Sequence, residues 1–140
     1  MKYDDASWHS GGEFPEDSPP EYGATHIALF LKWCFLKGWA GELFTEEAPE
    51  ELQEIIDGKI SATEFFLDFC DGKFISDFLN DEGNQFAEQY YGRNGLYLLD
   101  YEQHFGDLMY VKPEKDHDFD KFSEMLEKRY QSGILTTDQK

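Results

Sequence analysis

The stretch His26 to Lys37, HIALFLKWCFLK, is apolar on nearly every side, and a helix of that kind cannot lie on a surface with one face in water. It has to be wrapped by other elements. Its apolar core, Ile27 to Leu36, is ten residues long and broken by Lys32, about half of the roughly 20 that a membrane span needs. The stretch therefore predicts a central core helix running from an N-cap at Thr25 to about Lys37.

The wrapping elements are marked by their stops. Gly38, Gly58, Gly72, Gly92, Gly106 and Gly133 each fall just past an apolar-periodic run, where helix C-terminal caps belong, and so predict six helices. After the central helix, Pro49–Asp57 has proline in its first turn and one stripe made by Leu52, Ile55 and Ile56. Ser61-Ala62-Thr63-Glu64 fits a capping box, followed by Phe65, Phe66, Phe69 and Cys70 at helical spacing. Asp81–Tyr91 gathers Phe86, Ala87, Tyr90 and Tyr91, Tyr97–Phe105 carries Leu98, Leu99 and Phe105, and a last helix from about Asp118 aligns Phe119, Phe122, Leu126 and Tyr130. Leu108–Val111 is the one segment that reads as a strand, too isolated to build a sheet alone. The expected architecture is all-α or mainly α: one helical domain over residues 1–133, with an ordered irregular N-terminal arm over 1–23 and a frayed tail over 134–140.

Thirty acidic against twelve basic side chains give a formal charge of −18, which repels phosphate backbones and anionic lipid and argues against nucleic-acid and membrane-surface partners. The 24 Phe, Tyr and Trp residues are too many for a disordered acidic chain. Cys34 and Cys70 lie in apolar helical runs, which suits buried reduced thiols in a cytoplasmic protein, and the N-terminus MKYDDASWH has no apolar signal region.

The arm segment SWHSGGEFP, residues 7–15, holds the densest chemistry. A catalytic reading would take His9 as general base with Asp5, Trp8 and His26 around a pocket for a small molecule or metal. Yet no G-x-S-x-G elbow accompanies Ser7 or Ser10, and the four histidines show no zinc-type spacing. The plainer reading has Trp8 and Phe14 pinning the arm to the helices while Gly11 and Gly12 supply tight backbone. No metal or cofactor is expected on this evidence.

A stronger polar signal is the run Glu42 to Asp57, where seven carboxylates occur without one basic residue. Acids near a helix N-terminus are mildly favourable, but Glu50, Glu54 and Asp57 stand at helical spacings where like charges repel. Helix stability alone does not explain them. A cationic partner does, and Glu46, Glu47, Glu50, Glu51 and Glu54 are the expected contacts.

Taken in order, KYDDASWHSGGEFP, GATHIALFLKW, LNDEGNQFAEQYY and LLDYE resemble a family of small bacterial proteins known only as a domain of unknown function, over about residues 2 to 130. The resemblance implies a bacterial, cytoplasmic, stand-alone domain and brings no catalytic residues with it. In size and charge the chain is also similar to the acidic immunity proteins that neutralise bacterial toxins. The expected function is therefore an acidic protein-binding module of the immunity type, facing a basic toxin or enzyme domain. The alternative is a small-molecule or metal-binding protein or enzyme built on the Trp8–His9 arm.

Overall fold

The apolar helix α1 (Thr25–Leu36) runs through the centre of the molecule, with Ile27 to Phe35 all buried. The computed structural model describes residues 2–5, 25–91, 95–105, 116–133 and 135. In chain order the other elements are strand β1 (Lys2–Asp5) before α1, then α2 (Glu42–Thr45), α3 (Pro49–Ile56), α4 (Ala62–Phe69), strand β2 (Lys73–Ile75), a 3-10 turn (Ser76–Phe78), α5 (Asp81–Tyr90), α6 (Tyr97–Phe105) and α7 (Asp116–Ser132). α1 packs on α3, α4 and α7, α2 on α3 and the 3-10 turn, and α6 on α7. The mainly α architecture expected from the sequence is the observed one.

Local chemistry sets the helix ends. The Ser61 hydroxyl accepts from the Glu64 N–H at 3.1 Å to start α4, and the Asn80 side chain accepts from the Gly83 N–H at 2.9 Å to start α5. Glycines in the left-handed region stop α1 at Gly38 (φ +82°) and α3 at Gly58 (φ +78°). Gly92 and Gly106 lie outside the described residues, as do Trp8, His9, the expected strand over 108–111 and, Leu135 apart, the tail from Ile134.

Most of the core is aromatic. The Phe30 ring on α1 has the rings of Phe74, Phe86, Tyr90, Tyr91 and Tyr97 around it, with the nearest centroids at 5.0 Å. Trp33, one turn on, meets Trp39, Phe86 and Tyr130. Lys32, the one charge in the apolar run, is buried along its stem with its ammonium 4.5 Å from the Phe119 centroid.

The structure departs from the sequence expectation in four places. Lys2–Asp5, read as the start of an irregular arm, is a strand that pairs antiparallel with Lys73–Ile75, with an irregularity between Lys2 and Asp4. Four and three residues are too few to show an alternating pattern. The single-turn helix α2 is likewise too short for a period. Among the described side chains of α6, Tyr97, Asp100 and Tyr101 are buried, whereas Leu99 is half exposed. Polar-tipped residues won that face because their tips find partners: the Tyr97 hydroxyl donates to the His26 carbonyl, and Asp100 is paired as described below. On α4, Phe65 and Phe66 are fully buried but Phe69 lies at the rim, 47% exposed, with its ring tilted against that of Phe65.

Candidate functional site

The site begins where α1 stops. Beyond Gly38 the chain runs antiparallel to the segment after the 3-10 turn: Gly41 N–H donates to Phe78 O at 2.9 Å, Asn80 N–H donates to Trp39 O at 2.8 Å, and Ala40 bridges Leu79. Gly41 is required there by space, because a Cβ would stand 2.5 Å from the Asp77 carbonyl oxygen and 3.0 Å from that of Leu79. Its own carbonyl then accepts from Phe44 and Thr45 and opens α2.

This crossing brings together acids that are thirty or more positions apart. Glu42, Glu46 and Glu47, from α2 and the turn after it, share an open cleft of about 640 Å³ with Asp77 and Asp81. Leu43, 39% exposed, adds an apolar element to the lining. On the adjoining α3, Glu50 and Glu54 are exposed and Glu51 is half buried. Among the described residues no ion pair engages any of these carboxylates. Chemically the face offers many hydrogen-bond acceptors and a strong negative potential. Of the residues expected to meet a partner, Glu46 and Glu47 line the cleft, while Glu50, Glu51 and Glu54 lie beside it in sequence on α3. Asp77 and Asp81 escaped sequence reasoning because only the crossing at Gly41 joins them to the acidic run.

A second polar cluster is buried. Asp4 on β1 and His26 on α1 meet with Asp4 Oδ2 3.4 Å from His26 Nε2, and the Tyr91 hydroxyl donates to the same oxygen at 2.5 Å. Asp4 Oδ1 accepts from the Asp5 N–H at 2.8 Å. Both aspartates and His26 are buried, and His26 stands edge-on to Tyr101. Burial pushes the Tyr91 hydroxyl well above its ordinary range, and the charge of Asp4 adds to the shift, so Tyr91 is a hydrogen-bond donor and not a base. The sequence candidates Asp5 and His26 thus lie in one neighbourhood, while His9 and Trp8 fall outside the described residues. With both oxygens of Asp4 engaged, the cluster clamps β1 to α1 and to the end of α5.

A third cluster joins three helices. Asp100 on α6 accepts from the Tyr90 hydroxyl of α5 at 2.5 Å and, in a two-point pair at 2.8 Å, from Arg129 Nε and Nη2 of α7. The hydrogen bond to Asp100 pushes the Arg129 guanidinium upward, against the opposing effect of burial.

Among the described residues no three or more His, Cys, Asp or Glu side chains are arranged to hold a metal ion, and no helix is long and apolar enough to cross a membrane. Cys34 and Cys70 are free and buried. Burial raises both thiols, that of Cys70 to about 12, which leaves neither as a nucleophile at neutral pH.

No curated protein and no solved structure matches the sequence. A family model does, over residues 2–115, which span β1 through α6 and so include the acidic cleft and the Asp4–His26 cluster. The chain belongs to the family described as Domain of unknown function (DUF7832).

Proposed function

We propose that the chain is an acidic protein-binding module, an immunity-type inhibitor that neutralises a basic bacterial toxin or enzyme domain in the cytoplasm. The observation that carries this reading is the cleft: five carboxylates from two separate parts of the chain converge on one open surface, and among the described residues no cation pairs with them. Holding like charges together costs stability, and a cationic partner recovers that cost on docking. The field of a −18 chain focused at such a face speeds encounter with a basic protein, and Leu43 gives the contact an apolar element. An enzyme whose own substrate is anionic, such as a nuclease, has a basic active site of the opposite, complementary sign.

The test is genetic. Co-expression with a toxic basic domain encoded in the neighbouring reading frame restores growth, and a variant reversed at Glu46, Glu47 and Glu50 to Lys does not. Equal protection by the reversed variant removes the acidic face from the account.

One observation favours a second reading, a small-molecule or metal-binding protein or enzyme working through the arm: Asp4, Asp5 and His26 are gathered at the end of β1, where the chain continues towards Trp8 and His9. In that reading His9 is the general base and Asp5 and His26 belong to its surroundings. NMR titration of the histidine ring signals with a panel of metabolites and divalent metals tests it, and an unperturbed His9 across the panel rejects it.

A further inference from the structure

The acidic cleft reaches Asp81 at the start of α5, and the next residue, Glu82, belongs to a separate notch of about 220 Å³, room for one long side chain. Three rings in mutual contact line that notch. Trp39 lies 5.6 Å from Phe86 and 5.3 Å from Tyr130 between centroids, and Phe86 lies 5.6 Å from Tyr130. Trp39 and Phe86 are nearly buried, whereas Tyr130 is 41% exposed. Glu82 stands beside the rings with Oε2 accepting from the Trp39 indole N–H at 3.2 Å, which fixes the carboxylate in place. Among the described residues its second oxygen has no hydrogen bond. Gln85 and Gln89 complete the polar lining, Leu135 adds an apolar side, and among the described residues no basic side chain contributes.

The same rings already accept a cation. The Lys37 ammonium lies 4.8 Å from the Tyr130 centroid and 6.0 Å from that of Trp39, held by both oxygens of Glu127 at 3.0 Å. That internal cation is tied to α7 by its own carboxylate, and Lys37 is not among the residues that line the notch.

From the ring faces, the oriented carboxylate and the side-chain amides, we infer that the notch is an anchor pocket for one arginine side chain of the docked protein. The inference rests on the docking reading above and adds to it the identity of the anchoring residue. A planar guanidinium stacks on Tyr130 while its edge donates to Glu82 and to the amide oxygens of Gln85 and Gln89. Lysine, a point charge without a planar face, satisfies fewer of these groups.

The probe is N-acetyl-argininamide, titrated into the full chain while the Trp39 indole N–H and Tyr130 ring resonances are followed by NMR. Argininamide shifts both with saturation at millimolar concentration, and the neutral isostere N-acetyl-citrullinamide leaves both in place. Glu82→Gln keeps an acceptor for the indole N–H, so the wall stays built, and it weakens the argininamide response about threefold, the order expected for losing one solvent-exposed ion pair. Gln89→Lys, at an exposed position, does the same by supplying a competing cation. Shifts spread over the acidic segments with none at Trp39, an equal response to citrullinamide, or an unchanged titration in Glu82→Gln each overturn the pocket. Its failure is separable from failure of the docking reading. A silent notch with protection still lost on reversing Glu46, Glu47 and Glu50 defeats the pocket alone, and a responsive notch with protection intact in that variant defeats the acidic face alone.

Discussion

Removing the Asp100 carboxylate tests whether the three-helix junction is as consequential as its geometry implies. In Asp100→Ala the fully buried Tyr90 loses a charged acceptor at 2.5 Å, and Arg129 loses both arms of its pair. A hydrogen bond to a charged group is worth about 1.5–3 kcal/mol, so the Tyr90 loss alone is about 2. The Arg129 side chain is 28% exposed, so water recovers much of its loss and the pair adds about 1 kcal/mol. The total, about 3 kcal/mol, corresponds to a fall in Tm of roughly 10 °C for a chain of this length. Urea unfolding and calorimetry measure it, with an unchanged m-value expected because the surface exposed on unfolding is the same. Asp100→Asn, which keeps the shape and one acceptor, costs about half as much. A cycle with Tyr90→Phe returns a coupling of about 1 kcal/mol or more, since the two groups touch. If Asp100→Ala lies within about 0.5 kcal/mol of the wild type, the junction contributes nothing to stability and the reasoning from its geometry fails.

Gly41→Ala destabilises by about 1–3 kcal/mol through overpacking, because the new Cβ meets the backbone of Asp77 and Leu79 and not a yielding side chain; an unchanged Tm refutes the crowding argument. Burial, and then the charge of Glu88, pushes the Tyr3 hydroxyl up to about 12 from an ordinary 10, so the folded state holds this proton more tightly than the unfolded one. Its contribution to stability is intact below pH 10 and is lost as pH climbs from 10 to 12. Tyr3→Phe should flatten that part of the alkaline decline in urea midpoints, and an identical decline in the variant contradicts it. Cys34 and Cys70 should resist iodoacetamide at pH 8 in the native protein and react at ordinary thiol rates in urea; prompt native alkylation would show that the two sites open.

The helices were legible because their signals are local. The all-apolar face of His26–Lys37, the Ser61–Glu64 box and the glycines at 38 and 58 each act within a few residues of themselves, and the structure uses them at those positions. The β1–β2 pair was not legible, since its short strands from opposite sides of α1 and α4 are joined by tertiary contacts such as Tyr3 on Phe74 and the Tyr3 hydroxyl on Asn84. The site divides in the same way. The acids from Glu42 to Glu54 stand out as a run, but Asp77 and Asp81 join them only because Gly41 lets two backbone segments touch. On α6, Leu99 looked like core and Tyr101 did not differ from it by spacing. The choice was made by where the hydroxyl of Tyr97 and the carboxylate of Asp100 found partners, which no periodicity encodes.

The most direct test of the acidic face is the association rate with the basic partner domain, measured by stopped flow across ionic strengths. For the wild-type chain the rate should fall steeply as salt rises, and reversal of Glu46, Glu47 and Glu50 to Lys should slow it by about tenfold or more at low salt and flatten the dependence. Superimposable salt profiles for the two proteins would contradict the account.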